Sequence, residues 1–337
     1  MRVPSYDLEI PEGKRTKLYR FFEILPGLFS YGAIILLFVL SWVSPVIGAI
    51  YLFIIIATTL VKAVGVAYRT IQGYTVLKRA GRVDWRKRFT DFEDPHAAYE
   101  RLFDDDSKSY HFKEHIENLK LMSVMSESYP DPTQIYHAVI MTAYDEGLEV
   151  LEPSIEAVIN STFPSKKIIF TLAYEERGGA KMAETAKILL EKYRDYFYDF
   201  LLVQHPANLP HEVVGKGPNL TFAGHYLANY IKQCKIPLSN VIVTSLDSDN
   251  RMAPKYLDAV AYEFVVHPNR ERLSYQPVSL FTNNIWDAPA PTRVIAVSNS
   301  FFNVISTMRP HALRNFASHS QPLAALSGMD FWSKRTF

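Results

Sequence analysis

The chain has 337 residues, with 36 lysine and arginine side chains against 35 aspartate and glutamate side chains, and its formal net charge at pH 7 is +1. This balance gives no overall sign of nucleic-acid binding, and no nucleic-acid partner is expected. The single cysteine, Cys234, excludes a framework of intrachain disulfides and fits a reducing compartment.

Two long apolar stretches lie near the N-terminus. Residues 24–42 contain no charged side chain, and residues 46–66 contain only Lys62. Because about 20 apolar residues are enough to cross the hydrocarbon core of a bilayer, each stretch is long enough to span a membrane as a helix. The uncharged turn Val43-Ser44-Pro45 joins them. The sequence therefore predicts a transmembrane helical hairpin over residues 24–66.

Basic side chains flank this hairpin on both sides, and the turn inside it has none. They are Lys14, Arg15, Lys17, Arg20, Arg69, Lys78, Arg79, Arg82, Arg86, Lys87 and Arg88. Because lysine and arginine are retained on the cytoplasmic side, we expect the N-terminal tail, residues 1–23, and everything after the hairpin to lie in the cytosol. The protein is predicted to be an integral protein of the cell or inner membrane.

Residues 67–132 form a polar, helix-prone segment that is predicted to be a juxtamembrane linker. Residues 82–92 combine basic side chains with Trp85, Phe89 and Phe92. This composition is typical of a helix that lies on anionic lipid, and ordinary anchoring beside the membrane fits it equally well.

The end of the linker is marked by the breaker-rich sequence Tyr129-Pro130-Asp131-Pro132, which predicts a domain boundary before residue 133. Upstream of it, His111 and His115 have a spacing that some metal sites use on one helix face. No zinc-protease pattern accompanies them, and a solvated helix face is favoured.

From residue 133 onward, short β-rich runs alternate with amphipathic stretches, which is the pattern of βαβ units around a mainly parallel sheet. The predicted strands are residues 135–142, 167–173, 200–204 and 240–246, and the predicted helices are residues 151–160, 180–193 and 218–232. In such sheets, ligands bind at the carboxyl ends of the strands.

Polar clusters occur at these strand ends and at the start of one helix. They are Ala143-Tyr144-Asp145-Glu146, Tyr174-Glu175-Glu176-Arg177, Gly215-Lys216-Gly217-Pro218-Asn219 and Asp247-Ser248-Asp249. The Gly-Lys-Gly segment lacks the spacing of a Walker A loop, although a lysine at a helix start can still bind phosphate.

The triplet Asp247-Ser248-Asp249 directly follows the apolar run VIVTSL. Two carboxylates at this spacing repel each other unless a divalent cation or hydrogen bonds compensate their charge. Such triplets also occur in ordinary surface turns, and it is the position after a buried strand that favours a site. The pattern predicts Mg²⁺ or Mn²⁺ with a nucleoside diphosphate bound through it.

The order of the clusters resembles that of the family 2 glycosyltransferases, which are membrane-associated enzymes with a GT-A fold. Three segments carry the resemblance: TAYDEGLEVLEPSIEAVINSTFP, GKGPNLTFAGHYLANYI and VIVTSLDSDNRMAPKYLDAV. It implies an α/β domain over residues 133–337 with a GT-A-like, mainly parallel sheet. It also implies inverting transfer of a hexosyl group from a UDP- or GDP-linked sugar to a lipid, glycan or polysaccharide acceptor at the cytoplasmic face.

The resemblance implies roles for individual side chains as well. The base and ribose side would comprise Asp145, Glu146 and Glu175, the diphosphate side Lys216 and Asn219, the ribose and metal Asp247, and the metal directly Asp249. The family often has an aspartate at the end of the second strand, where this chain has Glu175.

Ser327-Gly328-Met329-Asp330 resembles the family's acceptor-side segment. The general base of the family lies in an acidic motif beyond that segment, and no such motif occurs before Phe337. We therefore expect the base to lie beyond residue 337, in a longer protein, with Asp330 as a weak candidate.

Two other functions fit the same residues. A non-catalytic, membrane-anchored subunit that binds a nucleotide sugar or serves as a scaffold would need no base motif. A nucleotidyltransferase or phosphohydrolase on a similar sheet would use the paired carboxylates, although it explains the hairpin and the Gly-Lys-Gly helix less well.

Overall fold

The computed structural model describes residues 15–283, 285–309 and 318–334. Its first two elements are the long helices α1, Lys17–Val43, and α2, Pro45–Gly81. Ser44 alone separates them, in an extended conformation, and Pro45 begins α2 at a position where a backbone N–H would have no helical partner. The Tyr51 hydroxyl donates to the Ala33 carbonyl oxygen at 3.2 Å, which joins the two helices side by side.

Both helices are long and apolar enough to cross a membrane, judged by length and composition. No residue of α1 is buried, and in α2 the buried residues are the two glycines Gly48 and Gly73. The apolar side chains of the pair therefore point outward. This confirms the two long N-terminal apolar helices, with helical structure that extends beyond the predicted range of residues 24–66 at both ends.

Three short helices follow: α3, Trp85–Thr90, α4, Pro95–Leu102, and α5, Phe112–Val124. Their aromatic residues do not face outward. Trp85 and Phe92 are 8% and 2% exposed, and both contact the ring of Tyr262, with centroids 5.4 and 4.9 Å away. Of the two interpretations of residues 82–92, the structure therefore does not support a helix that lays its aromatic rings on lipid. These aromatic rings instead bury their apolar surface in the same core as the sheet.

His115 also differs from its predicted solvated position, since it is 1% exposed. Its Nε2 atom lies 3.2 Å from Oδ2 of Asp91, and its Nδ1 atom lies 3.2 Å from the Tyr262 hydroxyl. Burial tends to raise the pKa of Asp91, but hydrogen bonds from His115 and Arg101 outweigh burial and hold the pKa below its usual value. This buried polar network ties α5 to the rest of the domain.

Five strands form one sheet in the order β3-β2-β1-β4-β5. They are β1, Tyr136–Ala143, β2, Ile168–Glu175, β3, Asp199–His205, β4, Val241–Asp247, and β5, His319–Pro322. The first four are parallel, and β5 pairs antiparallel with β4. The predicted mainly parallel α/β sheet is confirmed, and its four predicted strands agree with β1 to β4 within two residues at each end.

Helices connect the strands and cover both faces of the sheet. They are α6, Leu148–Ile159, α7, Gly179–Tyr193, α8, Lys216–Gln233, α9, Tyr256–Val266, α10, Ala290–Ser306, and α11, Leu323–Gly328. Alternate residues of β1 enter different cores: Val139 packs in the core under α6, α7 and α9, and Ile140 packs in the core under α8 and α11. Because both faces are buried, β1 is apolar along nearly its whole length.

Candidate active site

Asp247, the last residue of β4, lies at the carboxyl end of the parallel strands, in register with Thr142 of β1. The loops after the two strands are joined there, because the Ser248 hydroxyl donates to Oε1 of Glu146 at 2.9 Å. The other oxygen of Glu146 accepts from the backbone N–H of Tyr144 and of Asp145, at 2.6 and 3.2 Å. Two of the predicted clusters therefore meet at one edge of the sheet.

The carboxylate of Asp247 is fully engaged. Its Oδ1 atom is paired with the ammonium of Lys216, at the start of α8. Its Oδ2 atom accepts from the Ser318 hydroxyl at 3.2 Å and from the Asn250 side-chain amide at 3.3 Å. The structure thus brings the predicted Lys216 to the triplet, and Ser318 joins it from a distant part of the chain.

The carboxylate of Asp249 has a different environment. It is exposed, and within the described residues it has no hydrogen-bond or ion-pair partner. Its backbone is fixed, because the Asn283 side-chain amide donates to the Asp249 carbonyl oxygen at 3.0 Å. An anchored backbone with an uncompensated carboxylate is what a cation ligand requires before its cation arrives.

The described residues contain no group of three or more His, Cys, Asp or Glu side chains that would hold a metal ion. Mg²⁺ and similar cations are commonly bound by one or two carboxylates, with substrate phosphates completing the coordination. Asp247 and Asp249 fit that arrangement, since they supply two carboxylates at the edge of an open cavity. A cation at this site would need oxygen ligands from a bound substrate.

Glu175, at the end of β2, is buried and ion-paired with Arg177. The guanidinium of Arg177 also lies over the ring of Tyr144, 5.0 Å from its centroid. Glu175 is therefore close to the loop that carries Asp145, with its charge compensated from within the protein. The Asp145 carboxylate is exposed and, within the described ranges, makes no ion pair or hydrogen bond.

Asn219, on α8, does not line the cavity beside the triplet. It is 1% exposed, and its side-chain amide donates to the Ala173 carbonyl oxygen of β2 at 3.0 Å. This hydrogen bond fixes the first turn of α8 against the sheet. It thereby positions Lys216, the first residue of the same helix.

A cavity of about 770 Å³ lies beside the triplet, between the end of β4 and α10. Its walls include Asp247, Asp249, Asn283, Asn299, Phe302 and Asn303. The volume falls within the range of roughly 300–1,000 Å³ that is usual for small-molecule sites. No motif in the sequence marks these asparagines as site residues, although Asn299 and Asn303 are four residues apart and share a face of α10.

The predicted acceptor-side segment lies elsewhere in the structure. Ser327 and Gly328 end α11, and Asp330 pairs with Nε2 of His225 on α8 at 3.1 Å and with Nζ of Lys334 at 3.7 Å. None of Ser327, Gly328 and Asp330 lines the cavity beside Asp249. The structure brings Asp145, Glu146, Lys216, Asp247 and Asp249 together and leaves Asp330 outside that group.

No protein-family model and no curated protein matches the sequence. Among solved structures, residues 1–349 of TarS from S. aureus match at 15% identity with a TM-score of 0.33, covering 59% of this chain and 50% of that chain. The mannosyltransferase PcManGT from Pyrobaculum calidifontis, in complex with GDP-Man and Mn²⁺, matches at 14% identity with a TM-score of 0.40, covering 74% of this chain and 58% of that chain. The matched regions thus span between half and three fifths of these two crystallised chains, and similarity at this level does not assign the chain to a family.

Proposed function

We propose that the protein is a membrane-anchored glycosyltransferase. It transfers a sugar from a UDP- or GDP-linked donor, with Mg²⁺ or Mn²⁺ at the Asp247-Ser248-Asp249 triplet, to an acceptor at the cytoplasmic face of the membrane. The observation that carries this proposal is the contrast within the triplet. Asp247 is braced by Lys216, Ser318 and Asn250, whereas Asp249 faces the same cavity without a partner in the described structure.

The positive charge of Lys216 has two roles in this proposal, one toward Asp247 and one toward the diphosphate of the donor. Its ammonium is paired with Asp247, and the oxygens of a bound diphosphate would offer the same ammonium further charged partners. The start of α8 adds backbone N–H groups that favour an anion. Asp247 and Asp249 would hold the cation, which when bound offsets the charge that develops on the leaving diphosphate.

The two acidic residues after β1 have distinct roles in this proposal. Glu146 is a brace, because both of its oxygens are engaged by Ser248 and by the loop backbone. Asp145 is exposed beside it, and we assign to its carboxylate the acceptance of hydrogen bonds from the base or ribose of the donor. Glu175 supports this loop through Arg177 and Tyr144.

The far wall of the cavity suits a sugar. Asn283, Asn299 and Asn303 carry neutral amides, which both donate and accept hydrogen bonds, and Phe302 adds an aromatic surface. Hydroxyl-rich rings are recognised by this combination of amides and aromatic faces. We assign this wall to the transferred sugar and the acceptor.

The test is nucleotide binding by the full chain in lipid nanodiscs, measured by calorimetry with UDP and with GDP in the presence of Mn²⁺. We expect one of the two nucleotides to bind in a Mn²⁺-dependent manner. Asp249→Asn, an isosteric change at an exposed position, removes a charged oxygen ligand and should weaken this binding by at least the roughly 10- to 100-fold that loss of a hydrogen-bond partner of a metal ligand costs.

Asp287→Asn is the matched control, since Asp287 is a carboxylate that lines the same cavity outside the triplet. It should bind the nucleotide with about the affinity of the unmodified chain. The proposal is wrong if neither nucleotide binds with Mn²⁺, or if Asp249→Asn binds as tightly as Asp287→Asn.

A second function, a non-catalytic subunit that binds a nucleotide sugar, is favoured by one observation. Asp330, the late carboxylate considered as a base, pairs with His225 and Lys334 away from the cavity. The two functions differ in turnover. Mn²⁺-dependent binding of a nucleotide sugar, with no release of the nucleoside diphosphate in membranes that contain acceptor, would favour the binding subunit.

A further inference from the structure

Helix α10 has its apolar side chains on the outside. Its 17 residues include one charged side chain, Arg293. The large apolar residues that lie outside the cavity are 41–67% exposed and form what we call the α10 apolar face: Val294, Ile295, Val297 and Phe301. A helix that covers the core of a soluble domain shows the opposite arrangement.

The inward side of α10 is polar because it binds backbone. The Ser300 hydroxyl accepts from the Phe281 N–H at 2.9 Å, and the Asn303 amide donates to the Ser279 carbonyl oxygen at 2.9 Å. These contacts fix the rotation of the helix about its axis. The apolar face is therefore held outward by hydrogen bonds rather than left there by loose packing.

The segment before α10 enlarges the exposed apolar surface. Leu280 and Phe281 are 46% and 48% exposed, and Trp286 is 81% exposed. Contiguous exposed apolar surface of this kind marks a place where a protein meets another apolar body, which is a partner or a membrane. A tryptophan at its edge is typical of the boundary between water and lipid.

The position of α10 on α2 identifies the lipid bilayer as that body. Val304 of α10 packs against Gly73, so closely that a Cβ atom at Gly73 would lie 2.6 Å from the Val304 carbonyl oxygen. Gly73 is seven residues beyond Val66, the end of the second apolar stretch. At 1.5 Å per residue this is about 10 Å past the hydrocarbon core, which is the depth of the headgroup region.

The surface of α2 continues the α10 apolar face. Ile71 and Tyr74, on either side of Gly73, are 68% and 59% exposed. Exposed apolar side chains are therefore present on the hairpin, on this part of α2 and on α10, where they include Ile295 and Phe301. Amphipathic helices that lie at this depth insert their apolar face roughly 5–10 Å into the boundary between headgroups and acyl chains.

We propose that the α10 apolar face docks on the bilayer surface, and that the cavity behind α10 thereby takes an acceptor held in the membrane. Docking rests on the proposed membrane anchoring, and the acceptor class rests on the proposed function. The link between them is that Asn299, Phe302 and Asn303 of the same helix line the cavity. One side of α10 faces lipid and the other faces the site.

The test uses the full chain with Cys234→Ser and single cysteines labelled with an environment-sensitive nitrobenzoxadiazole dye, in nanodiscs of phosphatidylcholine and phosphatidylglycerol. The labelled positions are Ile295 on α10, Ile54 within α2, and Ile188 on α7. Ile188 is the matched control because it is also an exposed isoleucine, 41% exposed, on a helix that packs on β2 and β3.

Lipids with a doxyl quencher near the headgroup should remove most of the fluorescence at Ile295 and leave Ile188 bright. A quencher near the end of the acyl chain should act most strongly at Ile54. Quenching at Ile54 without quenching at Ile295 overturns the docking of α10. An Ile295 signal that lipid does not quench, but that changes with the number of proteins per disc, overturns it in favour of a second copy of the chain.

Loss of quenching at Ile54 would contradict the anchoring and the docking together. The acceptor class has its own measurement, which is release of the nucleoside diphosphate from a nucleotide sugar in acceptor-containing native membranes. Ile295→Asp should lower this release while Mn²⁺-dependent nucleotide binding stays unchanged, and Ile188→Asp should change neither. Unchanged release in Ile295→Asp overturns the membrane-held acceptor, whereas failed nucleotide binding in the unmodified chain points to the donor site instead.

Discussion

At the scale of single residues, Asp247 and Asp249 lie two positions apart and have opposite environments. The strand that ends at Asp247 and its hydrogen bonds from Asn250 are local, and the sequence indicated that a site would lie there. Ser318 approaches from a segment far along the chain and carries no motif of its own. A local pattern predicted the pair of carboxylates, whereas the contrast between them depends on tertiary contacts that only the folded chain supplies.

A second consequence at this scale concerns His137, which is fully buried in β1. Burial lowers its pKa to about 3, partly opposed by its hydrogen bond to the Leu257 carbonyl oxygen. The unfolded chain, with an ordinary histidine pKa of about 6.5, binds a proton that the folded chain does not. The stability that neutral His137 contributes is therefore complete above pH 6.5 and is lost as pH falls from there toward 3.

We expect the free energy of unfolding to fall by up to about 1.4 kcal/mol per pH unit below that value through this residue alone. Thermal unfolding of the detergent-solubilised chain between neutral and mildly acidic pH measures the slope. His137→Gln should flatten it. A slope that is equally steep in His137→Gln would exclude His137 as its source.

At the scale of elements, the helices and strands that follow from periodicity are those with long apolar runs. β1, β2 and β4 are apolar and buried, and their positions follow from the sequence. β5 has the sequence HSQP, which contains no apolar run, and its place in the sheet is set by pairing with β4. The aromatic residues of α3 suggested lipid contact because composition does not tell which apolar surface a ring will meet.

The contact between α2 and α10 gives a prediction at this scale. Replacing Gly73 by leucine places side-chain atoms where the Val304 backbone lies, and overpacking of this kind costs about 1–3 kcal/mol. Because the hairpin is the larger element, α10 should be the one displaced. Trypsin cleavage after Arg293 in nanodiscs should become faster.

Gly81→Leu is the control, because a Cβ atom at Gly81, on the same helix, meets nothing within 4 Å. It should be cleaved at the rate of the unmodified chain. Equal cleavage rates in Gly73→Leu and Gly81→Leu would show that the close approach of α2 and α10 does not hold α10 in place.

At the scale of the whole molecule, the domain that contains the sheet begins earlier in the chain than the sequence indicated. The boundary expected before residue 133 separates no independent core, because Phe92, Leu119 and Met122 are buried with the residues of the sheet. The distribution of basic residues still predicts that this whole unit lies on the cytoplasmic side, with the turn at Ser44 on the other.

Impermeant maleimide labelling tests this topology in the Cys234→Ser background. A cysteine at Ser44, in the turn between α1 and α2, should react in intact cells, and a cysteine at the exposed Lys108 should react only in inside-out vesicles. The two variants are compared with the same reagent in the same chain, and the predicted topology places their cysteines on opposite sides of the membrane. Reaction of both positions from one side would contradict a hairpin that crosses the membrane.

The antiparallel pairing of β4 with β5 has a consequence for how such a protein can change. Tyr275 pairs with Ser320 of β5, and Ser245 of β4 pairs with His319, so the chain from Tyr275 to β5, which contains α10, leaves and rejoins the sheet at one place. Closing a loop costs only about 0.6 kcal/mol more for each doubling of its length. The segment that contains α10 can therefore change in length or in sequence while the sheet stays intact. Proteins that share the donor site could in this way come to act on different acceptors.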